Sequence, residues 1–519
     1  MSVYRAANVR LSEAVRPELA EVCLPGPDES VLGQYARMRP QLQAFHAFDK
    51  AHIVMLAEAG LLPREDAGAM LRVLRDIEGQ DGGAVAARAA TEEHMHSGEA
   101  LLTGALGREI AGKMHLGRSS GDLLAVSFRY TLRDKLLRIA GQLNELRRVV
   151  HELAGQHLHT VMPGSTHLQH AQPDTFGHYL LAWASAFERD AQRVRQYHAR
   201  LNLSPAGAAI LNGSEFALNR ERTARLLGFD GLALNTRDAV WGRDLEIEAH
   251  TLTVLLAGNF NRLAEDLMLW SSPEFGLVEC ADGFCGTSSI MPQKKNPNAL
   301  ECLKGTVAIC TGHLVSTAMV HKNPSTVPVF EWVRSMSDAW RGYDEMASAL
   351  PLMTAVLQSL SVHEERMRER AGAFWATATD LAAAIVKHAG LPWRAAHQIT
   401  GITVRLALDA GLSPEQIDSA FVDRAARTHS GQNIGLPPEV LASAMDPSAS
   451  VERHDMPGGP AAARVGEALA MHEAVLAGDE QWLEESLERL RQARVALEQG
   501  IDALLSPQRS TVPAQAAHH

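Results

Sequence analysis

Between Phe128 and Leu153 the residues Phe128, Leu132, Leu136, Ile139, Leu143, Leu146, Val150 and Leu153 follow one another in steps of mostly four and three. That is a heptad seam, sustained for about 25 residues, of a helix packed lengthwise against others. From Asp122 to Leu153 the rod would be about 48 Å long at the α-helical rise. A single domain core seldom needs such a rod, whereas a multi-chain bundle does. A second long helix is predicted from Pro173, with a stripe at Phe176, Leu180, Trp183, Phe187, Ala191 and Val194 and an end at Leu203-Ser204-Pro205. A third runs from about Leu245 to Trp270, a fourth follows Asn296, and a fifth covers Trp340 to Gln358. Long helices with little strand between them predict an all-α, elongated bundle. A composition that is 46% hydrophobic but only 5% aromatic agrees.

The 519 residues divide into a helical N-terminal domain (1–117), the long-helix domain (118–370), a C-terminal domain of shorter helices (371–505) and an aperiodic tail (506–519). A net charge of -12 without a long basic tract argues against nucleic acid. No uninterrupted apolar run approaches the roughly 20 residues that span a membrane. The first residues, Met-Ser-Val-Tyr-Arg-Ala-Ala-Asn, lack the apolar core of a signal peptide. Cys23, Cys280, Cys285, Cys302 and Cys310 are an odd, sparse set, which predicts reduced thiols and a cytoplasmic setting. Cys280 and Cys285 have a spacing seen in zinc ligand pairs, but no second pair matches it, so no metal is expected there. His94-Met95-His96 has the residues of a ligand pair, although a polar run ahead of a helix at Ala100–Leu106 accounts for it equally. No Gly-rich phosphate loop or dinucleotide fingerprint is present, so no cofactor is expected.

Three loops carry hydroxyls at or near helix starts, where backbone N–H groups are unpaired. They are Gly117-Arg118-Ser119-Ser120-Gly121-Asp122, Pro163-Gly164-Ser165-Thr166-His167-Leu168-Gln169-His170-Ala171-Gln172-Pro173, and Gly286-Thr287-Ser288-Ser289-Ile290-Met291-Pro292-Gln293-Lys294-Lys295-Asn296-Pro297. In the last, Asn296-Pro297 predicts an N-cap with proline at the first helical position. Free N–H groups and the positive dipole end then favour a carboxylate, with Lys294 adding charge. Taken singly, each loop could be no more than a helix cap.

The string from Gly286 to Glu301 closely resembles the signature loop of the argininosuccinate lyase/fumarase/aspartase superfamily, and in wording the argininosuccinate lyases. The other two loops resemble that family's conserved segments in the same order. The resemblance implies an all-α, three-domain lyase whose central bundle assembles as a homotetramer, each active site drawing on three subunits. It implies a carbon–nitrogen lyase acting by β-elimination: a proton leaves the carbon beside a carboxylate, the C–N bond breaks, and fumarate is released. It places the base at Ser288, whose oxyanion Lys294, backbone N–H groups and the helix dipole would stabilise. His167 becomes the proton carrier or orienting group, with Glu301 as partner. Thr166, Ser119 and Asn296 resemble carboxylate-binding positions, and Arg118, Ser120, Ser289 and Met291 complete the substrate-binding set. His170 and His178 read as structural.

Two departures matter. Where argininosuccinate lyases carry Arg-Ser-Arg-Asn-Asp, this chain has Arg118-Ser119-Ser120-Gly121-Asp122, so a substrate-contacting amide is missing. After Pro324-Ser325-Thr326 the family's Tyr, Gln and Lys, which reach the arginine portion of the substrate, align with Val327, Trp332 and Ser335. A guanidinium or carboxylate buried there without partners would cost several kcal/mol. The expected substrate is therefore an N-substituted aspartate with a leaving amine other than arginine, by analogy with ethylenediamine-disuccinate lyase. The alternatives are a genuine argininosuccinate lyase, an inactive crystallin-like relative, and elimination of water or cycloisomerisation.

Overall fold

The computed structural model describes residues 39–91, 94–322 and 329–507. Its spine is helix α1 (Ser120–Gln156), roughly 55 Å long at the α-helical rise. Every residue of the heptad seam is buried along it. At its start Ser119 and Asp122 form a capping box, which satisfies two of the orphan donors.

Directly after α1 comes an antiparallel hairpin, β1 (Val161–Thr166) and β2 (Gln169–Thr175), and then α2 (Phe176–Leu201) returns along α1. The helix expected from Pro173 thus begins later. Pro173 pairs with Pro163 in the hairpin, and Thr175 caps α2 by accepting from the His178 N–H at 3.1 Å. Its predicted stripe, from Phe176 to Val194, is buried throughout.

α3 (Asp244–Trp270) starts where α2 ends, with the Tyr197 hydroxyl donating to the Leu245 carbonyl at 2.8 Å. It finishes near the beginning of α2, where Tyr179 donates to Asp266 at 2.8 Å. α4 (Asn298–Val320) runs back along α3, with Lys304 paired to Glu265 at 2.9 Å and His321 to Glu246 at 3.2 Å. α5 (Val329–Gln358) follows α1, the Trp340 ring 5.6 Å from that of Phe128. It begins well before the predicted Trp340.

By length and composition α4 is apolar enough to cross a membrane. It is instead one of the bundle helices, with Leu303, Thr306, Cys310 and Thr317 buried in the core. The neighbouring stripe of α4 is uncovered in the single chain: Ile309, Val315 and Met319 are exposed.

The shortening of helices expected beyond Ala371 holds only up to Arg453. A small bundle there buries Leu381, Ile385, Ile399, Phe421, Val422 and Leu441 in a core of its own. The longest described helix then follows, α6 (Ala462–Leu505), packed against α1, α2 and the Leu42–Glu58 helix. Buried Asp479 pins it, pairing with Arg147 of α1 at 2.7 Å and Arg195 of α2 at 2.8 Å.

Candidate active site

The first loop sits at the start of α1 and is held from behind. Arg118 is buried, and its guanidinium donates to Asp49 on the Leu42–Glu58 helix at 2.7 Å. Asp49 also pairs with buried Arg88. Burial alone would raise the Asp49 carboxyl, but Arg118 and Arg88 outweigh it and bring the pKa down to about 2. In the single chain, then, Arg118 is the counterion of Asp49. Ser119 is the helix cap, half-buried, and Ser120 Oγ lies 3.3 Å from His96 Nε2. Buried Asp122 accepts from the N–H groups of Ser119 at 2.9 Å and Gly207 at 3.1 Å, and burial raises its pKa to about 6.

The second loop is the tip of the hairpin. Thr166 ends β1, and His167 and Leu168 form the two-residue turn, with φ of 56° and 57°. Left-handed backbone at both positions is the geometry that ordinarily takes Asn-Gly. For two bulky L-residues it stores roughly 1–3 kcal/mol each, a cost that persists mainly at functional sites. The turn leaves Thr166 and His167 exposed to solvent. Below it the register shifts between Pro163 and Ser165, and at Gly164 a Cβ would stand 2.3 Å from the Gln172 carbonyl oxygen, so only glycine fits. A cavity of about 480 Å³ opens beside the hairpin, bordered by Ser165, Leu168, His170, Asp174, Asp266 and Arg370. His170 stacks edge-on to Phe374 at 4.8 Å, and His178 bonds Asp174 at 2.7 Å.

The third loop is a tight excursion closed by pairing of Gly286–Thr287 with Lys295–Asn296. Ser288 Oγ accepts from the backbone N–H groups of Ile290 at 3.3 Å and Met291 at 3.1 Å. Asn296 belongs to that pairing and does not cap the helix. α4 starts at Asn298, after Pro297, with no side-chain cap. The reason is that the backbone of Asn296 is already committed to Gly286. Glu301, in the first turn of α4, is exposed, as are Ser289, Met291 and Lys294. Among the described residues Lys294 has no carboxylate partner, whereas Lys295 pairs with Glu279 at 2.7 Å and Asp282 at 2.6 Å. Val327 lies outside the described residues, and for Trp332 and Ser335 only the backbone, in α5, is described.

Among the described residues no hydrogen bond or ion pair joins one loop to another, and His167 does not meet Glu301. The rod explains part of this. The first loop precedes α1 and the hairpin follows it, so the two lie at opposite ends of a helix roughly 55 Å long. The signature loop links α3 to α4 and so lies towards the hairpin end.

The family described as "Lyase" matches residues 32–312, and that described as "Argininosuccinate lyase C-terminal" matches residues 375–452. The argininosuccinate lyase of Methanothermobacter thermautotrophicus is 38% identical over 415 residues, covering 79% of this chain and 88% of the relative. The chain belongs to the argininosuccinate lyase family. The enzyme of that name from Methanosarcina acetivorans is 37% identical over 440 residues, covering 84% and 88%. Among solved structures, an EDDS lyase in complex with formate superposes with a TM-score of 0.83 at 31% identity, covering 95% of this chain and 97% of that one. An EDDS lyase variant with bound fumarate gives 0.82, also at 31% identity. The 3-carboxy-cis,cis-muconate lactonizing enzyme of Pseudomonas putida, at 20% identity and a TM-score of 0.66, shares the fold alone.

Reasoning from sequence missed two contacts around this family's loops, those of Asp49 and His96, whereas main-chain N–H groups at Ser288 were expected. Asp49 anchors Arg118, His96 meets Ser120, and two main-chain N–H groups face Ser288. Of the missed contacts, only the first left a trace in the sequence: the charged pair Asp49-Lys50 interrupts the apolar text of the Leu42–Glu58 helix, and both residues are buried.

Proposed function

We infer that this chain is an argininosuccinate-lyase-like C–N lyase, releasing fumarate from an N-substituted aspartate whose leaving amine is not arginine. The observation that carries the chemistry is the pair of N–H groups on Ser288 Oγ. Donors aimed at that oxygen stabilise its deprotonated form, which is what a serine needs to act as a base. Ser288 then takes the proton from the carbon beside the reacting carboxylate. Lys294, Asn296 and the α4 N-terminus receive the charge that builds there, while Thr166 and Ser119 hold carboxylates. Ser120, Ser289 and Met291 line the substrate, and Arg118 fixes the first loop through Asp49. His167, polarised by Glu301, moves the proton to or from the leaving nitrogen. Likeness to EDDS lyase and the text at Val327, Trp332 and Ser335 support a non-arginine amine.

The test is fumarate release followed by ultraviolet absorbance. Argininosuccinate is expected to be a poor substrate, and fumarate with a panel of amines should give an adduct in reverse. Fast release from argininosuccinate would overturn the rebuilt amine pocket and make this a genuine argininosuccinate lyase, the reading favoured by the curated relatives.

The working unit in this reading is a homotetramer with sites shared by three subunits. The opposite-end placement of the loops supports it, as does the uncovered apolar stripe of α4. Four described free thiols fit a cytoplasmic setting. Co-refolding an inactive first-loop variant (Ser119→Ala with Ser120→Ala) with inactive Ser288→Ala should regain part of the wild-type rate. In hybrids, some sites then draw every loop from an unmutated copy. No recovery from well-folded hybrids would put all three loops in one chain.

A further inference from the structure

We propose that His96, Glu99 and His115 form a binding site for one divalent transition-metal ion behind the first loop. Their ligand atoms lie within 4.8 Å of one another. The His115 Nδ1 to Glu99 Oε2 separation is 3.4 Å, and Ser120 Oγ lies 3.3 Å from His96 Nε2. Ligand atoms in a tetrahedral zinc site with bonds near 2.0–2.1 Å are about 3.3–3.4 Å apart, so the His115–Glu99 pair already has that spacing and His96 is within reach by a side-chain adjustment. Two imidazoles and a carboxylate are the donor set of open zinc sites, with Ser120 or water as the fourth donor.

The state of His115 points the same way. Among the described residues His115 Nδ1 is buried and makes no hydrogen bond of good geometry; its contact is with Glu99 Oε2 at 3.4 Å, another ligand of the cluster, and an ion between the two would satisfy both. Arg88 and Arg118 stand close by, and both are paired with buried Asp49, which offsets part of their charge towards a cation. His96 caps the Ser97–Leu106 helix, Glu99 lies in its first turn, and His115 closes the turn before Gly117. An ion here clasps that helix to the first loop. Neither the Cys280/Cys285 pair nor the His94/His96 pair, which the sequence offered as ligand pairs, is this set.

The experiment is titration of chelator-treated full-length protein with cobalt(II), read by visible absorption, and with zinc(II), read by calorimetry. One ion per chain is expected at micromolar metal, weakened at least about tenfold by either His115→Gln or the near-isosteric Glu99→Gln. A Cys280→Ser/Cys285→Ser protein should bind as the parent does. The terminal His518-His519 pair is common to every protein compared, so the difference isolates the cluster. Circular dichroism checks that Glu99→Gln is folded if His115→Gln is not. No uptake by the parent, or uptake unchanged in both folded variants, overturns the site.

Discussion

Ser288→Ala is expected to stop fumarate release, lowering kcat by about 10³-fold or more while KM changes little. Ser288 Oγ sits in a loop, half-buried, with its acceptor capacity filled by the Ile290 and Met291 N–H groups. That arrangement holds an alkoxide at no reorganisation cost, and alanine removes the only atom those donors address. The side chain fills no core space, so melting temperature and assembly should match the parent, and the loss belongs to chemistry. A Ser288→Ala protein retaining more than about a tenth of kcat would move the base elsewhere. A parallel loss of folding would make the loop structural.

How much of this was legible depended on whether the signal was local. The α1 seam and the α2 stripe are periodic, and both are buried as the period demands. The loops were legible as strings because helix starts leave a compact signature. The hairpin was not, because Val161–Thr175 is mostly polar and has no apolar alternation to mark strands. Leu476, Leu483, Leu490, Leu497 and Leu504 do recur every seven residues along α6, a signal that was present but masked by the charged residues between them. The partnership of Arg118 with Asp49 left only the charged interruption at Asp49-Lys50 as a trace, since the pair is remote in sequence and the text at Arg118 shows only a cation beside a serine. The single chain does not bring the three loops together. Within one chain, α1 holds two of them apart.

Asp49→Ala should be the most damaging single change outside the chemistry. It leaves Arg88 and Arg118 buried without their shared carboxylate, and removing one partner of a buried ionic group costs about 3–5 kcal/mol. Arg118 has no slack, since among the described residues its buried Nε finds no acceptor. Because Arg118 adjoins Ser119, the first loop should loosen with it, and hydrogen exchange should speed at 42–58 and 118–122 together. The pH dependence identifies the cause. Asp49 is held below its ordinary value, so its contribution is complete above about pH 4 and is lost as pH falls towards 2. Asp122, raised to about 6 by burial, has the opposite sign: its contribution is complete below about pH 4 and fades as pH rises through 6. The parent should therefore lose stability on either side of about pH 4, through Asp122 as pH rises to 6 and through Asp49 as it falls towards 2, whereas Asp49→Ala, destabilised at neutral pH, should lack that lower fall. Asp49→Asn, which keeps shape and one acceptor but not the charge, should lie between them. Identical acid profiles for parent and Asp49→Ala would mean that the two arginines are satisfied some other way.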